Sequence, residues 1–305
     1  MRTLLLLVVC LLSPGLVAAK VLNVEFKFTP YTGDTKEDKV DSVPGKVTVT
    51  LNGVPIAEQT VEKQELPVIF DAREIAPSAW VTTEGLGSML RKGTNTIRFE
   101  FAPAVPGEYK AQLRWAEVTD QVREQNDAGS HKSTNQAGEG VEEKTLTGPL
   151  VMERKFEAPF ATDQPWHHLP PVTSVSDEDR AALTAKVEER IAWFKPDFSA
   201  IYKTLAATPN VKIDEIRKRK CVEAAHKAGL KIAAVPASQM EIVTTGGPEV
   251  VVKAKQGPIY QPTGNGLDKI KGEQMQMCAG MVLMAVFPPR LVAVRTPNGN
   301  WEVVN

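Results

Sequence analysis

The sequence predicts two domains: an N-terminal all-β antiparallel sandwich and a C-terminal α+β domain in which three helices precede an antiparallel sheet. Three observations predict this organisation. Apolar and polar residues alternate through residues 21–158, as in strands with one buried face. Apolar residues recur at helical spacing from Leu183 onwards. Beyond residue 240, short apolar runs are separated by Gly and Pro turns, which favours strands.

The first 19 residues predict a signal peptide. Arg2 precedes an apolar run from Leu4 to Leu12, and small residues surround Ala19. The run is too short to span a bilayer comfortably, although a retained anchor is the alternative. We therefore expect a secreted or periplasmic protein that starts near Lys20 and has no membrane partner after cleavage.

Charge and cysteine usage agree with export. The chain has 36 basic and 37 acidic residues and a net charge of −1, which argues against a nucleic-acid partner. Removal of the signal peptide leaves Cys221 and Cys278, and an even count in an oxidising compartment predicts one disulfide between them. We expect this bridge to join a helix to a strand; two separate buried thiols are the alternative.

The sandwich is expected over residues 20–160. Its clearest strands are those around Val24–Phe28, Val47–Leu51, Ile97–Phe101 and Tyr109–Trp115, with Trp115 on the buried face. Residues 119–144 are polar and lack large apolar side chains, so we interpret them as a mobile loop within this domain.

One stretch of this region resembles a known family. LNGVPIAEQTVEKQELPVIFDAREIAP, followed by GSMLRKGTNTIRFEF, resembles the jelly-roll sugar-binding domains of the β-galactosidase class. The resemblance covers about 50 residues and implies a sandwich with a glycan ligand. It assigns no binding residues, because those of the family lie in variable loops.

A glycan site needs an aromatic face beside polar groups. Trp80 lies in the irregular stretch SAWVTTEGLG, with Glu84 close behind it. We take both as candidate ligand-binding residues; the alternative is that Trp80 caps one end of the sandwich.

A proline-rich linker over 161–176 contains PWHHLPP. Trp166, His167 and His168 are further binding candidates, because two of the four histidines of the chain stand side by side here. Adjacent side chains of an extended strand point to opposite sides, so the pair is poorly placed to share a metal. We expect a linker packed between the domains, no metal site and no cofactor.

The second domain is expected over 177–305. Ser176 followed by three acidic residues predicts a helix N-cap, and the third helix should run from Lys212 to Ala228. A hairpin over 240–255 and a long strand over 274–287 should follow, with a final hairpin turning at Asn298-Gly299. The ending RLVAVRTPNGNWEVV resembles the last hairpin of the cone fold of nuclear transport factors and ketosteroid isomerases, but no catalytic residue of those isomerases has a counterpart here.

Four methionines lie within the predicted strand. Thioethers suit Cu(I), but Met275, Met277 and Met281 would share an apolar strand face, so we expect core packing rather than copper binding.

Two functional hypotheses remain. The first is an exported, non-enzymatic binding or adaptor protein of the cell envelope, with a glycan or an envelope protein as the partner of the sandwich. The second is a small hydrolase or isomerase whose site lies in a cavity of the C-terminal domain. The chain contains none of the common catalytic motifs, which favours the first hypothesis without excluding an enzyme.

Overall fold

The computed structural model describes residues 20–36, 39–69, 74–126, 129–208 and 211–305. The predicted signal peptide lies outside these ranges. Within them, no helix has the length and apolar character needed to cross a membrane. The prediction of an N-terminal β-rich part and a mixed C-terminal part is confirmed, whereas the domain boundaries at residues 160 and 176 stay predictions.

The N-terminal part consists of two large antiparallel sheets and one small sheet in which the fifth and sixth strands pair. Its strands are β1 (Asn23–Asp34), β2 (Lys39–Ser42), β3 (Gly45–Leu51), β4 (Val54–Val61), β5 (Val68–Ile69), β6 (Glu74–Ile75), β7 (Ala79–Thr82), β8 (Gly93–Pro103), β9 (Glu108–Asn126), β10 (Gly129–Thr147) and β11 (Leu150–Ala158). The first sheet has the order β10-β9-β1-β2, with β7 also beside β1, and the second has the order β11-β8-β3-β4.

The two sheets enclose one apolar core. Alternate residues of their strands point inward; Phe28 of the first sheet stacks on Phe99 of the second, with 5.4 Å between ring centroids. Phe26, Phe28 and Phe99 are completely buried, as the alternation predicts.

The interpretation of residues 119–144 as a loop is wrong. Strands β9 and β10 continue through this segment as an antiparallel ladder, in which Gly129 pairs with Asn126 and Thr147 with Glu108. Backbone hydrogen bonds hold such a ladder together, so its residues need not show apolar alternation.

The C-terminal part combines helices with two antiparallel sheets. Its elements are α1 (Asp177–Ile191), α2 (Ser199–Ala207), α3 (Ile213–Arg219), α4 (Cys221–Lys227), β12 (Leu230–Ala234), β13 (Met240–Thr244), β14 (Glu249–Ala254), β15 (Tyr260–Gly264), α5 (Glu273–Val286), β16 (Arg290–Arg295) and β17 (Trp301–Val303). Strand β12 pairs with β15, and the larger sheet has the order β13-β14-β16-β17.

The predicted helix over 212–228 is divided in two. Lys220 separates α3 from α4 and has the left-handed φ of 55°, which ends one helix before the other begins. The predicted N-cap at Ser176 is present: its hydroxyl accepts a hydrogen bond from the Asp179 backbone N–H at 3.1 Å.

The prediction of a strand over 274–287 is wrong, because this segment forms α5. Its buried residues lie on one side of the helix: Cys278, Ala279, Val282, Leu283 and Val286. Met277, Met281 and Met284 lie on the opposite side and are 58%, 56% and 68% exposed, so the expected core packing of Met277 and Met281 is also wrong. Met275 is half-buried against the core.

The predicted pairing of Cys221 with Cys278 is confirmed. The disulfide joins α4 to α5, with 5.9 Å between the Cα atoms. It therefore connects two helices, and not a helix and a strand as expected, because the partner segment is helical.

The two parts meet along an apolar contact, which we call the seam. Val54 of β4 is buried against Val251 of β14 and Val292 of β16, and Met89 and Val304 flank these three. An ion pair between Arg91 and Glu249 lies at the same boundary, with 2.6 Å between Nη2 and Oε1. The seam fixes how the sandwich sits against the C-terminal sheet.

Candidate binding surface

The outer face of the first sheet carries an exposed tryptophan. Strand β7 alternates, so Ala79 and Val81 point into the core and Trp80 points outward. The Trp80 side chain is 58% exposed, and the Lys27 Nζ lies 5.5 Å from the centre of its ring. Trp80 therefore lies on the face of a regular strand, and not in the irregular stretch expected at one end of the sandwich; its role in ligand binding stays a prediction.

Cross-strand pairing places polar residues beside this indole. Lys27 of β1 is in register with Trp80 on one side and with Arg114 of β9 on the other. Glu25 is in register with Thr82 one step along the same face. We call these five residues, Glu25, Lys27, Trp80, Thr82 and Arg114, the Trp80 platform.

The platform is bounded at one end. On the same face of β1, Tyr31 is buried in a small apolar cluster with Val40, Leu66 and Ile75. Glu74, next to this cluster, forms an ion pair with Lys27. This contact holds the lysine ammonium near the indole, so the platform combines an open aromatic ring with one fixed cation.

Glu84 does not lie on the platform. It belongs to a short 3-10 helix, Thr83–Gly85, directly after β7, where its backbone N–H donates to Asn23 Oδ1 at 3.1 Å. Its side chain is exposed. The structure therefore places Glu84 near Trp80 along the chain, but on a different element.

The PWHH segment forms a 3-10 helix, Pro165–His168, instead of the expected extended chain. His167 is buried, and both ring nitrogens are used: Nδ1 accepts from the Gln164 backbone N–H at 3.2 Å, and Nε2 lies 2.9 Å from the Ser88 carbonyl oxygen. Nε2 donates to that oxygen, because a carbonyl oxygen can only accept. His167 thus fastens the linker to the sandwich.

His168 points to solvent and lies 2.9 Å from Asp163 Oδ1. The hydrogen bond from His168 lowers the pKa of the Asp163 carboxyl and outweighs the opposing effect of desolvation. Trp166 is half-buried and meets the His167 ring edge-on, with 4.2 Å between centroids. These three candidates form a group around the linker that is separate from the Trp80 platform.

Metal-binding side chains do not converge in the part of the chain that the structure describes. Within those ranges, no three His, Cys, Asp or Glu residues form a group that could hold a metal ion.

Trp115 is only half-buried, although the alternation predicts a core position. The Arg154 guanidinium lies 3.3 Å from the centre of its ring, and Gly140 leaves room for the indole, since a Cβ there would lie 2.1 Å from a ring carbon. Burial lowers the pKa of Arg154, while Glu117 and Glu142 act in the opposite direction. Trp115 is therefore covered by a cation from the facing sheet.

Two charged side chains of the C-terminal part are buried, and Arg190 is only partly satisfied, because its Nε and Nη1 have no hydrogen-bond partner among the described residues. Arg190 donates to the Asn305 carbonyl oxygen at 2.7 Å, and burial lowers the pKa of its guanidinium. Glu249, only 1% exposed, is held by Arg91. Arg190 and Glu249 therefore have separate partners. Burial also raises the pKa of Tyr260, which interacts electrostatically with Arg190.

Sequence reasoning identified Trp80 but missed Glu25, Lys27 and Arg114. The alternation of the predicted strands shows that these side chains point outward. It does not show that they are neighbours of Trp80, which depends on the pairing of β1 with β7 and β9. No protein-family model, curated protein or solved structure matches this chain. Both resemblances therefore stay predictions.

Proposed function

We propose that the protein is an exported, non-enzymatic binding protein whose sandwich binds a glycan on the Trp80 platform. The observation that carries this proposal is the exposed indole of Trp80, which stands on a regular strand beside the ion-paired Lys27. A large aromatic side chain in this position leaves much apolar surface in water, and a ligand that covers it gains that free energy.

The chemistry of the platform suits a sugar ring. The apolar C–H face of a pyranose can stack on the indole, while the hydroxyl groups meet the side chains of Glu25, Lys27 and Arg114. Glu25 accepts hydrogen bonds, and the two cations donate them. The platform lies on a sheet face and not in a deep pocket, which favours a chain-like glycan over a single enclosed sugar.

Export is part of the proposal. The predicted signal peptide over residues 1–19 motivates it, and the Cys221–Cys278 disulfide is compatible with an oxidising compartment. We place the mature protein in the periplasm or outside the cell, with the sandwich and the α+β part as its two domains.

A glycan array with the mature chain tests this function, followed by titration calorimetry on each glycan that binds. We expect Trp80→Ala to weaken binding at least about tenfold, equivalent to about 1.4 kcal/mol, and Trp80→Phe to retain part of the affinity because a stacking ring remains. Trp166→Ala is the matched control, since it removes a tryptophan outside the platform. An array without any bound glycan, or affinities that Trp80→Ala leaves unchanged, would refute the proposal.

A further inference from the structure

The side of α5 that faces away from the core carries three exposed methionines. Met277, Met281 and Met284 are separated by four and three residues, so they lie within about 60° of one another around the helix. Each is more than half exposed. No charged residue occurs from Gln274 to Pro289. The three exposed methionines therefore have no charged neighbour on their own helix that would favour their contact with water.

A run of exposed cations ends at Lys220, the residue before the cysteine that is bridged to α5. Arg217, Lys218, Arg219 and Lys220 are all exposed at the end of α3. Arg217 stacks on Tyr202 at 5.6 Å, whereas Lys218 and Arg219 form no ion pair with any carboxylate in the described ranges. Lys220 precedes Cys221, and Met277 precedes Cys278.

The disulfide fixes the distance between the two features. The Cα atoms of Cys221 and Cys278 are 5.9 Å apart. Successive Cα atoms are about 3.8 Å apart, so those of Lys220 and Met277 lie within about 14 Å of each other. The flexible side chain of Lys220, at the end of the basic run, can therefore reach a charged surface that the methionines touch.

We propose that the α5 methionine stripe and the adjoining basic run dock the protein on an anionic lipid surface. Apolar side chains that enter the boundary between head groups and acyl chains, beside cations that meet the anionic head groups, are the two elements of interfacial binding. This docking departs from the expectation of no membrane partner, which rested on cleavage of the predicted signal peptide.

Other occupants fit the surface less well. A partner helix needs a groove, but the methionines stand on the exposed crest of one helix. A stable dimer involves about 20–30 residues on each side, and three methionines offer much less. A copper ion bound by all three methionines would need both Met277 and Met284 as ligands. Their Cα atoms are about 10 Å apart along the helix axis, so both side chains would be strained when they bind one metal.

Vesicle flotation with the disulfide-bonded mature chain tests this proposal. The probes are vesicles of phosphatidylcholine alone and vesicles with added phosphatidylglycerol, each at low and high salt. We expect binding only to the anionic vesicles, and weaker binding at high salt because salt screens the attraction.

Two sets of variants separate the contributions. M277Q/M281Q/M284Q should reduce the partition coefficient at least about tenfold, since it removes the apolar contact. K218Q/R219Q should reduce it about fivefold for each charge removed. The matched controls are V105Q/V151Q, which removes exposed apolar groups of the sandwich, and K92Q/K155Q, which removes exposed sandwich cations; both should bind like the parent chain.

Circular dichroism and thiol titration establish that each variant is folded and disulfide-bonded before it is compared. The proposal is overturned if the parent chain does not bind anionic vesicles or if the methionine variant binds them equally well. It is also overturned if the methionine variant instead abolishes a dimer seen by sedimentation, or if the parent binds an acidic amphipathic peptide but no vesicles.

Discussion

Gly53 and Thr245 are in contact across the seam. Gly53 occupies the β3–β4 turn with a left-handed φ of 83°, and a Cβ atom at this position would lie 2.2 Å from the Thr245 carbonyl oxygen. The Asn-Gly pair in the stretch that resembles a sugar-binding domain therefore has a second role in this chain. It lets the turn of the sandwich approach the backbone of the C-terminal sheet.

Replacing Gly53 by alanine should lower the free energy of unfolding by about 2–3 kcal/mol, because it adds backbone strain and separates the two parts at the seam. The control is Gly299→Ala, which has the same φ of 83° but nothing within 4 Å of the added Cβ. Chemical denaturation of both variants measures the difference. Equal losses for the two would show that strain alone, without the contact, explains the effect.

The ion pair across the boundary gives a second prediction. Arg91→Met should destabilise the protein by about 3–5 kcal/mol, because it leaves the carboxylate of Glu249 buried without its cation. Adding Glu249→Gln should restore much of that loss. The exposed Lys46–Glu58 pair serves as the comparison, since its removal should cost no more than about 1 kcal/mol. A double variant no more stable than Arg91→Met would contradict this reasoning.

The disulfide should contribute on the order of 4 kcal/mol, because it closes a span of 57 residues in the unfolded chain. The double variant Cys221→Ala/Cys278→Ala should unfold at a correspondingly lower denaturant concentration. A reducing agent should destabilise the parent chain and leave the variant unchanged. Thiol titration of the denatured, unreduced mature protein should find no free thiol, and two would disprove the bridge.

Acid should weaken the link between the start of α1 and the final hairpin. Burial alone would raise the pKa of Asp179, but hydrogen bonds from Arg295, Ser176 and Trp301 outweigh it and hold that pKa well below its usual range. A carboxyl with a lowered pKa in the folded state stabilises the protein above its unfolded pKa of about 3.9. This stabilisation is lost as the pH falls through the region between that value and the lower folded pKa.

Asp179→Asn should therefore cost about 2 kcal/mol at pH 7, and less at pH 3. Denaturation of the parent and the variant at both pH values measures this. Asp177→Asn is the control, because Asp177 is exposed in the same helical turn. A difference between parent and Asp179→Asn that stays constant with pH would contradict the assignment.

The alternation of apolar and polar residues predicted the strands of the sandwich core, because each strand buries one face, as the completely buried Phe26 and Phe28 show. The same reasoning misread residues 274–287, where almost every side chain is apolar and both strand and helix periods can be found. Met277, Met281 and Met284 match helical spacing, but Met275, Met277 and Met281 also match a strand face. Only the packing of Cys278 and Val282 against the other helices decides between them.

The binding surface was only partly predictable for a related reason. A single strand shows which residues point outward, but not which strands are neighbours. Lys27 belongs to the surface because it lies between Trp80 of β7 and Arg114 of β9, and β7 is more than 50 residues away in the sequence. The interpretation of His167 was limited in the same way, since Ser88, which accepts its hydrogen bond, lies 79 residues earlier.

The seam also determines what happens if the chain is cut. A sandwich expressed alone would present Val54 and Met89 to water, and the C-terminal part alone would present Val251 and Val292. Each fragment would then expose an apolar patch that the other fragment covers in the intact chain. Split within residues 161–176, the chain should behave as a pair of complementing halves, soluble together and prone to aggregate apart.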